Sequence, residues 1–75
     1  MAEAKANTQR EMIMLYLKEN GSITALDAMR DLGVLQLAAR VAEIRERGVD
    51  IITELEGGRN RYGKKIRYAR YRLRE

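Results

Sequence analysis

Eight cationic side chains crowd the end of this chain. Arg59, Arg61, Lys64, Lys65, Arg67, Arg70, Arg72 and Arg74 fall within residues 57–75, against one acid, Glu75. Guanidinium and ammonium groups at this density bind phosphate oxygens, Arg through a planar fork of donors and Lys as a point charge. The rest of the chain has the opposite sign, with seven cations against ten acids in residues 1–56. A charge separation of this kind draws a polyanion to one end of a molecule. A solvating loop has no reason to exclude acids, yet none occurs from Gly57 to Leu73. A second group with recognition chemistry is Gln36, Ala39 and Arg40. Gln can pair with adenine, Arg with guanine, and a methyl group can meet that of thymine. Arg40 has another use, because pairing with Glu43 or Asp50 would hold a helix to a sheet.

Other chemistries are excluded by residue type. There is no histidine and no cysteine, so the commonest general base, the commonest metal ligand, thiolate sites and disulfides are all missing. No metal, cofactor, enzymatic activity or small-molecule substrate is expected. Gly57, Gly58 and Gly63 do not form a phosphate loop ahead of a helix. The longest apolar run, MIMLYL, is far short of the roughly 20 residues that span a bilayer. The first ten residues hold no signal-peptide core, so a cytoplasmic protein is the default. At 75 residues the chain makes one small domain, burying about 60% of the surface its unfolded form exposes.

Those cations need elements to carry them. Thr8-Gln9-Arg10-Glu11 fits a capping box and Gly21 a left-handed stop, which predicts a first helix from Gln9 to Asn20. Its core face is expected to be Met12, Ile13, Tyr16 and Leu17, with Met14 and Leu15 pointing elsewhere. Thr24-Ala25-Leu26-Asp27 is a second capping box. It opens a short helix to residue 31 or 32, with Ala25, Ala28, Met29 and Leu32 as an apolar stripe. Gly33 ends it. A third helix is expected over 35–47, with Leu37, Ala38, Val41 and Ile44 inward and Glu43 away from the backbone or paired with Arg47.

The period then changes from helix to strand. Val49, Ile51, Thr53 and Leu55 alternate with Asp50, Ile52, Glu54 and Glu56. Ala69, Tyr71 and Leu73 alternate with Tyr68, Arg70 and Arg72. Both segments read as half-buried strands, with cross-strand charge pairs among Glu54, Glu56, Arg70 and Lys65. Between them GGRNRYGKK reads as a hairpin tip rather than more sheet. Residues 1–7 are expected to be a flexible start. Residues 8–75 are expected to form an α+β domain of three helices followed by a two-stranded hairpin, with a possible short third strand at Ser22-Ile23. This is the order of a winged helix-turn-helix. Arg59, Asn60, Arg61, Lys64 and Lys65 would then sit where a wing reaches a phosphate backbone or minor groove.

The opening TQR, GSIT before the second helix, LG at the turn, LAARVAEIRERG on the third helix and the closing RYRL resemble small helix-turn-helix proteins of bacteriophages and prophages. The resemblance covers residues 8–73. It implies a DNA-binding domain serving mobile-element gene control, with Gln36, Ala39 and Arg40 in a groove and Arg59, Arg61 and Lys64 on the wing. Gln36 stands where a basic residue would be common, so base preference does not transfer. The expected partner is double-stranded DNA, engaged by a homodimer or by tandem copies. The rival reading is a protein-interaction module using the basic hairpin against an acidic partner. A third is RNA binding, for which the sequence has no signature.

Overall fold

The computed structural model describes residues 8–74. Residues 1–7, expected to be a flexible start, lie outside the described residues. The elements run α1 (Gln9–Asn20), β1 (Ile23–Thr24), α2 (Ala25–Asp27) continuing into a π-helical stretch (Ala28–Leu32), α3 (Leu37–Glu46), β2 (Ile51–Arg59) and β3 (Lys65–Leu73).

Both predicted capping boxes form. Glu11 N–H donates to Thr8 Oγ1 and Thr8 N–H to Glu11 Oε1, each at 3.1 Å. Asp27 N–H donates to Thr24 Oγ1 at 3.2 Å, and Thr24 N–H to Asp27 Oδ2 at 3.0 Å. Each box satisfies two amides that the helix itself leaves without partners. Thr24 also closes β1, so one residue ends a strand and starts a helix.

The second helix ends in a widened turn. Gly33 takes φ +70, which side chains with a Cβ rarely adopt. Val34 N–H reaches back to the Ala28 carbonyl at 3.0 Å. The wide turn swings Val34 into the core, where it is buried. Sequence periodicity did not single out Val34. The stripe expected on this helix is corrected accordingly. Only Ala28 is buried and Leu32 half-buried, whereas Ala25 and Met29 face solvent. The π stretch begins at Ala28, so it shifts Met29 off a 3.6-residue period but has no bearing on Ala25, which precedes it.

The core comprises Ile13, Leu17, Ile23, Ala28, Val34, Leu37, Val41, Ile44 and Ile51. On α1, Met12 is half-buried, while Tyr16 and, against expectation, Met14 pack on the core. The third helix starts two residues later than expected. Leu35 lies outside it, largely exposed, and Ala38 faces solvent rather than the core.

The sheet order is β1-β3-β2, all antiparallel. The third strand sits at Ile23–Thr24, one residue beyond the expected place, and pairs with Tyr71 and Arg70. β2 and β3 pair along nine residues, from Ile51 opposite Leu73 to Arg59 opposite Lys65. The expected tip was therefore too long. Gly57, Gly58, Arg59 and Lys65 belong to the ladder, and the turn is residues 60–64. Strand parity holds, but burial does not follow it to the end. Ile51 is buried and Leu55 is 67% exposed on the same face, because the ribbon outruns the helices beneath it. The longest dimension of the domain is 43 Å.

Candidate nucleic-acid interface

Alternation in the ladder sorts the cations by face. Arg59, Lys65 and Arg67 share a face with Ile51, Leu55, Ala69 and Tyr71, the face that packs toward the helices. Their register partners are one another and Gly57, with no acid among them. Arg70 and Arg72 lie on the opposite face with Glu54 and Glu56. There Arg70 Nε donates to Glu56 Oε2 at 2.7 Å, and Arg72 pairs with Glu54. Beyond the ladder, Arg74 Nε pairs with Asp50 at 2.6 Å. The Arg70 hydrogen bond holds Glu56 below the ordinary carboxylate range, and Glu56 in turn raises Arg70. Arg70 Nη1 also donates to Ser22 Oγ at 2.9 Å, which ties the entry to β1 across β3 to β2. Lys65 was expected among the charge pairs. It has no acidic partner among the described residues.

The turn is built around Asn60. Its Oδ1 accepts from the amides of Tyr62 at 2.9 Å and Lys64 at 3.0 Å, and its own N–H donates to the Lys64 carbonyl. Asn60 is thus committed to shaping the turn. Arg59 Nη1 braces it by donating to the Gly63 carbonyl at 2.9 Å. Arg61, Tyr62 and Lys64 project from it into solvent.

A cleft of about 350 Å³ separates the sheet from the start of α3. Gln36, Ala39, Leu35 and Ala25 line one side, Ala69 and Tyr71 the other. Gln36 precedes α3 as its N-cap residue, with φ −121 and ψ 62, and is exposed. Arg40 is not in this cleft. Its Nη2 bonds Glu43 at 3.0 Å, and Glu43 also takes Arg10 Nη1 of α1 at 2.9 Å. Arg40 therefore serves the pairing alternative and lies on the flank nearest α1, with its Nε shielded and without a hydrogen bond. Glu43 pairs with these two arginines rather than with Arg47. Arg45 ties α3 to the sheet. Its guanidinium donates to the Ile51 carbonyl and to Thr53 Oγ1, both at 2.7 Å from Nη2, and lies 5.8 Å from the Tyr71 ring centroid.

Helices, turn and ribbon now stand in one arrangement. A family model described as a winged helix-turn-helix domain matches residues 8–75. The chain belongs to that family. No curated protein and no solved structure matches it.

In winged-helix terms, β2 and β3 are the wing, and α3 follows the turn at Gly33. Of the expected site residues, Gln36 and Ala39 front the cleft, while Arg59 and Lys65 share the sheet face that bounds it. Arg61 and Lys64 crown the wing. Arg40 and Asn60 are used internally. One cation with the same placement was not in the expected set. Arg67 stands on the helix side of β3, opposite Gly57, without an acidic partner among the described residues. Its signal was present in the sequence, since 67, 69, 71 and 73 share one parity. Among the described residues no cluster of His, Cys, Asp or Glu could hold a metal ion, and no helix is long and apolar enough to cross a membrane.

Proposed function

We propose that this winged-helix domain is a non-catalytic regulator that binds duplex DNA, in the setting of a phage or prophage, within the cytoplasm. The observation that carries the reading is the sorting of cations. Those on the outer sheet face are matched by acids, whereas Arg59, Lys65 and Arg67 on the helix side, with Arg61 and Lys64 at the tip, have none beside them. Cross-strand charge pairs have a use within the fold itself, since each adds a little to strand pairing. Unpaired like charges on one face raise its potential and favour a phosphate polyanion. Gln36 and Ala39 stand across the cleft from that face and complete the contact surface. One copy offers a single small interface, so high specificity calls for a dimer or for tandem binding to successive sites.

The test is a binding titration of duplex DNA against salt. Neutralising about four to six phosphates gives a log–log slope of roughly −4 to −5, and a flat response would remove the basis of the reading.

A second reading is favoured by a different observation. A groove of about 450 Å³ runs between α1 and the end of α3, lined by Met14, Leu15, Ile44 and Val49, with Lys18 and Arg47 at its rim. An interaction module could seat a partner protein there or against the basic hairpin. A defined partner retained by the domain after nuclease treatment, together with no affinity for duplex DNA, would favour it.

A further inference from the structure

In the usual helix-turn-helix arrangement the helix after the turn enters the major groove. The outer face of α3 is poorly furnished for that task. The exposed residues of α3 are Ala38, Ala39, Ala42, Arg45 and Glu46. Methyl groups cannot donate to the O6 and N7 acceptors of guanine, and a carboxylate is repelled by the phosphates that border a groove. The long donors of α3 are already committed, Arg40 to Glu43 and Arg45 to Ile51 and Thr53.

The wing has the opposite character. Every residue from 57 to 67 is exposed, and the ladder stays paired out to Arg59 and Lys65, so the donors stand on an ordered ribbon rather than on a loop. Arg59, Lys65 and Arg67 lie on one face of it; Arg59 gives Nη1 to the Gly63 carbonyl, while its Nε and Nη2 have no partner among the described residues.

Gly57 and Gly58 add a separate observation. Neither has a positive φ. A Cβ on Gly57 would meet only the Ile66 carbonyl at 3.9 Å, an ordinary contact, and one on Gly58 would meet nothing. Nothing within the fold asks for glycine at either position. Their effect is on thickness. The successive pairs Gly57–Arg67 and Gly58–Ile66 carry a side chain on β3 alone. A shallow groove of about 320 Å³ is left there, bounded by Arg59, Lys65, Ile66 and Arg67.

We infer that the wing, not α3, is the element that enters the major groove, and that Arg59, Lys65 and Arg67 read base edges there. The inference rests on the DNA-binding reading above. A two-stranded ribbon fits the major groove, which is about 12 Å wide, and not the minor groove at about 6 Å. The paired glycines thin the ribbon where its backbone comes nearest the bases. α3 then lies against the sugar–phosphate wall, where its small side chains permit close approach.

The experiment compares three versions of the tightest duplex recovered from a random-sequence selection. One is unmodified. One carries 7-deazapurines, which lack the N7 acceptors of the major groove. One carries inosine for guanine and 3-deazaadenine for adenine, which changes the minor groove and leaves N7 intact. Each is titrated with the wild-type domain and with Arg59→Ala and Arg67→Ala, whose folding is checked by circular dichroism. The 7-deazapurine duplex should bind the wild type roughly tenfold or more weakly. That penalty should shrink severalfold in at least one arginine variant. The minor-groove duplex should bind as the unmodified one does. A 7-deazapurine penalty that persists in full in both variants would return the reading to α3. A penalty only on the minor-groove duplex, or on neither, would also overturn the inference while leaving DNA binding in place. Failure of the wild type to bind any duplex would overturn the reading beneath it.

Discussion

Arg70 donates to Glu56 at 2.7 Å although the residue it faces across the ladder is Glu54. Arg72 makes the same diagonal step, to Glu54 rather than to Ile52. Right-handed strand twist brings one of the two diagonal neighbours on a face closer than the other. The result is a stitched outer face whose charges cancel, behind an inner face whose charges do not.

That contrast predicts unequal effects from like substitutions. Arg67→Ala should weaken duplex binding and lower the magnitude of the salt slope by about one. Arg72→Ala should leave the slope almost unchanged, since the arginine is already matched by Glu54. Salt titrations of the two variants side by side distinguish them. Equal slopes would mean that sheet face does not decide which cations meet DNA.

Arg61→Ala, at the exposed tip, should weaken preferred and random duplexes alike, because contact with phosphate carries no sequence information. Gln36→Ala, at the start of the helix that lies against the sugar–phosphate wall, should do the same, whereas Arg67→Ala should weaken the preferred duplex more than a random one. Competition between a selected and a random duplex, run for each variant, reads the ratio directly.

Gly33→Ala places a Cβ on a backbone with φ +70. There is space for the methyl group, so the cost is conformational, about 1 kcal/mol. For a domain of this size that is a fall of roughly 4–8 °C in the melting midpoint. A calorimetric scan showing no fall would mean that the turn relaxes out of the left-handed region at no cost.

Acid stability depends on a cluster joining α1 to the second helix. Arg30 donates to Asp31, and the Tyr16 hydroxyl donates to Asp31 Oδ2 at 2.7 Å. These bonds, that from Arg30 first, lower the Asp31 carboxyl to about 2. A carboxylate depressed by folding contributes stability above its unfolded value, near 4, and that contribution is lost as pH falls toward 2. The stability gap between wild type and Asp31→Asn should therefore be widest above pH 4 and close toward pH 2. Denaturant midpoints measured across that range test it, and a gap independent of pH would refute the linkage.

Local signals in the sequence carried far, and non-local ones did not. Thr8 with Glu11 and Thr24 with Asp27 act within one turn, so residue types alone predict them, and both boxes form. Strand parity is also local, and it placed Tyr71 and Leu73 toward the core. Where the helices stop beneath the sheet is a tertiary fact, so the exposure of Leu55 was not legible. The π turn has no signature in the residue types, and it displaced Met29 from the expected stripe. Glycines read as turn signals, yet Gly57 and Gly58 sit in a ladder whose pairing is set by residues on either side. Arg40 had two plausible partners by type, and the position of Arg10 on a different helix selected Glu43.

The ribbon is rooted where Ile51, Tyr71 and Leu73 meet the core, and β1 braces β3 over two residues. Mechanically it is a cantilever. A rotation at the root too small to disturb the packing beneath it becomes a much larger displacement at Tyr62. The domain can thus adjust its span to the local curvature of whatever it grips without repacking its interior.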